Sequence, residues 1–111
     1  MGEFKISKAP GYWVVRIAGS VIGESRSALV VDEAGHKPVV YFPRDALAMA
    51  LFERSETTSH CPDKGDATYF SFTSPDATLP DVAWSYENPV AGAERIRDFL
   101  AFNSDLVTGF S

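Results

Sequence analysis

Between His60 and Asp66 the segment TTSHCPDKGDATYFSF (residues 57–72) gathers a histidine, the chain's one cysteine, a lysine and two aspartates. Each side chain has a chemical use. His60 can act as a general base or orient a partner, and equally can tie a loop to a backbone carbonyl. Cys61 becomes a nucleophile only if a neighbouring cation or base lowers its pKa, and Lys64 and His60 are close in sequence. Its other reading is a small packed residue before Pro62. In the CPDKGDA turn, Pro62 presets the first turn position and Gly65 supplies a left-handed φ. Asp66 can accept turn amides or move a proton. A turn has no need of Lys64, and successive turn amides beside a lysine can cradle an anion.

Upstream, ERSETTSH (residues 53–60) holds no apolar residue and reads as a solvated loop, the kind of segment on which binding residues concentrate. Thr57 and Thr58 would line such a site. Arg44 and Arg54 can each grip a carboxylate or phosphate bidentately, and Arg44 can equally pair with Asp45 or Glu53. Tyr41, Trp84 and Tyr86 serve as core or as an aromatic wall for a ligand ring. The nitrogen and sulfur donors are His36, His60 and Cys61, fewer than the four of a structural zinc site, so no metal is expected there. A carboxylate-bound magnesium at Glu53, Asp63 or Asp66 would accompany only a nucleotide substrate. No Ser-His-Asp order or phosphate loop is present. The glycines of IAGSVIGES lack the Lys-Ser/Thr ending of such a loop.

The elements that must position these groups read mostly as strands. GYWVVRIAG, SRSALVVD and KPVVYF are rich in β-branched and aromatic residues, with a hairpin loop at DEAGHK. In KPVVYF both faces are apolar, so that strand should be covered on both sides. ATYFSF and DVAWSYENP alternate, with Thr68, Phe70 and Phe72 on one face and Val82, Trp84 and Tyr86 on one face. TSPDATLP between them reads as a loop. PRDALAMALFERS (residues 43–55) predicts a short helix opened by Pro43. AGAERIRDFLAF reads either as a helical turn at 94–98 or as a strand. About six strands with one or two short helices make a mainly β domain.

A length of 111 residues fits one domain over residues 1–111. The hydrophobic fraction of 45% with 23% charged residues argues against disorder. A net charge of −5, with basic residues scattered, argues against a duplex nucleic-acid partner. No run approaches the roughly 20 apolar residues of a membrane span, the N-terminus lacks a signal-peptide core, and a single cysteine suits a reducing compartment. A cytoplasmic location is expected.

YFPRDAL, ERSETTSHCPDKGDATYFSF, DVAWSYENP and IRDFLAF, in this order and spacing, resemble the domain-of-unknown-function 427 family, small proteins mostly of bacteria. The resemblance spans about residues 21–107. Asp63 and Asn103 depart from it, standing where the family more usually carries an aromatic. It implies coiled, folded-over β-sheets of the Mss4-like, or β-tent, type. The family's nucleotidyltransferase-like label implies group transfer.

Together these readings predict a cleft between the Thr57–Asp66 segment and an aromatic strand, binding a small anionic or nucleotide-like ligand. Arg44 and Lys64 would supply charge, Tyr41, Trp84 or Tyr86 stacking, and His60 or Asp66 proton handling. The alternatives are a non-catalytic protein-interaction module and a thiol or redox function at Cys61.

Overall fold

The computed structural model describes residues 3–110. Among these residues ten strands form two antiparallel sheets. The larger has the order β1-β4-β5-β9-β8-β7-β6, built from β1 (Phe4–Lys8), β4 (Leu29–Glu33), β5 (Val39–Phe42), β6 (Phe52–Cys61), β7 (Gly65–Thr73), β8 (Thr78–Ser85) and β9 (Leu100–Phe102). The smaller joins β2 (Tyr12–Ile17) to β3 (Ser20–Ser25) and β10 (Val107–Phe110), in the order β10-β2-β3. The domain is mainly β, with coiled sheets folded over one another. Among the described residues no helix is long and apolar enough to cross a membrane.

Strand alternation divides the core in two. Phe42, Phe52, Phe70, Phe72, Leu100 and Phe102 project from the large sheet onto Val15, Ile17 and Ile22 of the small one. The rings meet edge to face: Phe42 lies 6.0 Å from Phe102, Phe52 5.6 Å from Phe72 and 5.8 Å from Phe102. The opposite face carries Leu29, Val31, Tyr41, Ala67 and Ala101, covered by Tyr86, Ala93 and Ile96 from the β8–β9 connection. Apolar cover on both faces explains the unbroken apolar run of β5.

The short helix expected from Pro43 is replaced by two 3-10 turns, Arg44–Ala46 and Met49–Leu51. The reason is tertiary. Leu47 bridges Gly23 of β3, and the Ala48 amide donates to the Ile22 carbonyl at 2.9 Å. An amide committed to another strand cannot complete an α-turn, and a two-turn helix has too little cooperativity to compete. The polar run 53–60 is likewise no loop: it forms most of β6, hydrogen-bonded along β7 and interrupted by a bulge between Arg54 and Thr58. Its polarity follows from its place at the sheet's edge, where charged side chains discourage further pairing. The segment 91–102 resolves into a 3-10 turn at Glu94–Ile96 followed by β9. Strand β8 begins within the expected loop, at Thr78. Val82 does not share the face of Trp84 and Tyr86. Asp81, at φ 52°, shifts the register there and turns Val82 into the core between the sheets.

The bridge at Gly23 leaves no room for a side chain. A β-carbon there would lie 2.7 Å from the Ala46 carbonyl oxygen and 2.5 Å from Leu47 Cδ2. Since backbone cannot swing aside, Gly23→Ala is expected to destabilise the fold by about 1–3 kcal/mol, the usual cost of overpacking. Urea denaturation measures it, and a change under about 0.5 kcal/mol, within the scatter of ordinary surface substitutions, contradicts the assigned bridge.

Candidate functional site

Because residues 57–61 are strand rather than loop, the side chains expected to converge are sorted onto two faces. In the β6–β7 ladder Thr58 pairs with Thr68, His60 with Asp66 and Cys61 with Gly65. Thr58, His60 and Asp66 therefore share the face of Phe70, while Cys61 packs on the other with Tyr41 and Tyr86. The expected common concave surface for Thr57, Thr58, His60, Lys64 and Asp66 does not form.

On the Phe70 face, His60 Nδ1 and Asp66 Oδ1 lie 2.7 Å apart as an exposed pair. Farther along, Arg44 from the first 3-10 turn and Arg54 from β6 both grip Glu87. Arg44 donates to Glu87 Oε2 at 2.8 Å, to the buried Ser85 hydroxyl at 3.2 Å and to the Asp98 carbonyl at 2.6 Å. Both guanidiniums lie over the Phe70 ring, at 5.3 and 5.2 Å. The hydrogen bonds from Arg54 and then Arg44 hold the Glu87 carboxyl down at about 2. Arg44 thus pairs with Glu87, which the sequence reading missed, and not with Asp45 or Glu53.

On the opposite face, Lys64 is buried at 6% exposure. Its ammonium donates to Glu33 Oε1 at 2.8 Å, approaches Cys61 Sγ at 3.6 Å and sits 5.2 Å from the centre of the Phe4 ring. Desolvation pulls the Lys64 pKa down, but the hydrogen bond and charge of Glu33 outweigh it and the net shift is upward. An ammonium so enclosed is committed to Glu33, which corrects its expected role as an exposed anion contact. The turn itself forms as expected: the Lys64 amide donates to the Cys61 carbonyl, and Gly65 adopts φ 118°. A β-carbon on Gly65 would press against Asn88 and Pro89, whose strand-to-strand connection docks there. Tyr41, 2% exposed, and Tyr86, 7% exposed, are core residues and not an exposed stacking wall. Burial pushes the Tyr41 phenol up to about 12 and also raises Tyr86. Cys61 is half-buried.

Thr57 belongs to neither group. At the bulge its hydroxyl donates to Asp81 Oδ2 at 2.7 Å, and the hydroxyls of Ser55 and Thr57 lower the Asp81 pKa. Among the described residues no group of three or more His, Cys, Asp or Glu side chains is arranged to hold a metal ion.

A cleft of about 490 Å³ opens where the small sheet meets the β4–β5–β9 end of the large one. Trp13, Val30, Val40, Trp84, Phe102 and Val107 supply apolar walls, and Lys37, Asn103 and Ser104 supply the polar lining. Trp84 is half-buried, with its ring centre 6.4 Å from that of Tyr69. Of the residues singled out in the sequence for a ligand, Trp84 alone lines this cleft. Asn103, one of the two departures from the family pattern, lines it as well. Trp13 and Lys37 were missed, because each gains a role only when separate sheets are brought together.

A family model described as Domain of unknown function (DUF427) matches residues 5–111. The chain belongs to the DUF427 family. The match is wider than the expected 21–107 and takes in β1, β2 and β10. No curated protein matches the chain.

Two outcomes follow from these contacts. Lys64→Ala leaves the Glu33 carboxylate, largely sheltered, without its cation, and is expected to destabilise the fold by about 2–4 kcal/mol, near the cost of breaking a buried pair. Chemical denaturation checks this, and a neutral result would mean that the pair is solvated. The Glu87 carboxyl has a folded pKa below its ordinary value of 4.5. Its contribution to stability is therefore fully present above pH 4.5 and lost as pH falls toward about 2. Glu87→Gln should flatten the acid limb of the stability curve, measured by melting temperature across that window, and an unchanged limb contradicts the ion-pair assignment.

Proposed function

We propose that this DUF427 domain binds a small organic molecule with a flat apolar body and an anionic group, seated in the cleft between the two sheets. The observation that carries this reading is the cleft itself. Its volume of about 490 Å³ falls within the usual range for small-molecule sites. Trp13 and Trp84 are the half-buried aromatics of its lining, and an indole can stack a planar ring at distances typical of aromatic pairs. Lys37, exposed beside them, supplies a positive charge for a carboxylate or phosphate, and Asn103 and Ser104 supply hydrogen-bonding groups.

A mononucleotide has this chemistry, and so does an aromatic carboxylate. Group transfer receives less support. The cleft lining carries no carboxylate and no histidine to move a proton, and His60, Asp66 and Cys61 all lie outside it. The domain is therefore read as a binding module first.

Titration of intrinsic tryptophan fluorescence with mononucleotides, aromatic acids and their neutral analogues tests the proposal. An anionic ring compound should quench saturably. Lys37→Glu should weaken it about tenfold or more, in line with one hydrogen bond to a charged group, and leave a neutral analogue unaffected. Trp84→Ala should weaken both, with the fold checked by thermal melting. Binding indifferent to both substitutions, or no saturable quenching across the set, would sink the reading.

A further inference from the structure

The lining of the cleft between the sheets is graded by depth. Lys37, Asn103 and Ser104 are exposed, whereas Trp13, Val30, Val40, Trp84 and Val107 are half-buried. The polar side chains thus stand at the rim, and what lies deeper is apolar. The indole N–H groups do not alter this, because both are taken. Trp13 donates to the Pro10 carbonyl at 2.9 Å, and Trp84 turns its N–H to the Tyr41 hydroxyl. Both tryptophans therefore present ring surface and no free donor. The six-membered ring of Trp13 also rests on Gly109, where a β-carbon would come within 2.7 Å of it. That wall is in place before a ligand arrives, which spares the cost of ordering it.

The charge at the rim is equally simple. Among the described residues Lys37 is the one cation of the lining, with no arginine or second lysine beside it. A phosphate monoester carries a charge of about −1.5 to −2 at pH 7 and three strong acceptor oxygens, more than one ammonium and one amide can satisfy. In a nucleotide a hydroxylated sugar also separates the ring from the phosphate. With the phosphate at Lys37, that sugar falls among the valines. Each hydroxyl left there without a partner weakens binding by about fivefold to a hundredfold. A carboxylate joined to the ring, or one carbon from it, meets neither obstacle. Its two oxygens match one ammonium and one side-chain amide.

We infer that the cleft takes a planar aromatic monocarboxylate in preference to a phosphate or a nucleotide, an inference that rests on the binding role proposed above. The ring lies inward against the indoles, and the carboxylate stays at the rim. Lys37 supplies its counter-charge. Asn103 determines specificity, its side-chain N–H donating to a carboxylate oxygen.

Isothermal titration of the full chain with naphthoate, naphthyl phosphate and naphthamide, which share one ring, and with adenosine monophosphate tests this. Naphthoate should bind saturably, about tenfold or more tighter than either phosphate compound. Naphthamide should bind more weakly than naphthoate, through its ring alone. Asn103→Asp sets a like charge against the carboxylate. It should weaken naphthoate about tenfold, the low end for one hydrogen bond to a charged group, and leave naphthamide unchanged. The side chain is exposed, so the fold should tolerate the change, and thermal melting checks that it does. Equal or tighter binding of naphthyl phosphate or of the nucleotide overturns the inference and leaves the cleft a small-molecule site. So does naphthoate affinity indifferent to Asn103→Asp. Failure of all four compounds to bind overturns the binding role itself, and the inference with it.

Discussion

The contact between Lys64 and Glu33 holds together parts of the large sheet that its strand order keeps well apart. Glu33 ends β4, beside one margin of the sheet, and Lys64 sits in the turn joining β6 to β7 at the other. Their meeting requires the sheet to coil until its flanks approach. Coiling makes the inner face a cavity that must be filled, and Tyr41, Tyr86, Ala93 and Ile96 fill it. The β8–β9 connection that delivers Tyr86, Ala93 and Ile96 is pinned by the same turn, since the Val90 amide donates to the Lys64 carbonyl at 2.9 Å. An ion pair contributes less to net stability than its Coulomb energy suggests, once desolvation is counted. Here its chief effect is to select one curvature.

That curvature also divides the chemistry of the chain. The lysine that its turn does not need is consumed by architecture. Among the cations that stay open to solvent are Arg54 on the outer face and Lys37 at the mouth between the sheets. The buried cation and the exposed ones thus have different surroundings, although they are interleaved in sequence.

How much of this is legible in the sequence depends on how local each cause is. Strand β5 shows itself through four consecutive apolar residues, and β7 through Thr68, Phe70 and Phe72, because side-chain alternation is a property of the strand itself. The turn at Cys61–Gly65 is equally local, resting on the fixed φ of Pro62 and the freedom of Gly65. The segment after Pro43 misleads because its alanines and leucines favour a helix, while Ile22 and Gly23, some twenty residues earlier, capture its backbone. Strand β6 looks like a loop because an edge strand carries polar side chains. One wall of the cleft between the sheets, Trp84, stands on a strand that the sequence shows. Its partners were not visible: Trp13 and Lys37 come from a different sheet and a different loop, and nothing in their local pattern signals a shared cleft. Lys64 was noticed for the right reason, and its partner lies 31 positions away.

The bulge in β6 bears on how these molecules behave in a crowd. An edge strand of ten residues turns the amides and carbonyls that its one neighbour does not use outward, a template on which another chain can lay its own backbone. Residues 55–57 interrupt that row midway, since the ladder with β7 skips from Arg54 to Thr58. An incoming strand meets two short stretches out of phase instead of one continuous track. Glu53, Arg54 and Glu56 add charge at the break. The irregularity that sets Thr57 against Asp81 is therefore also of the kind that blunts edge-to-edge pairing of sheets.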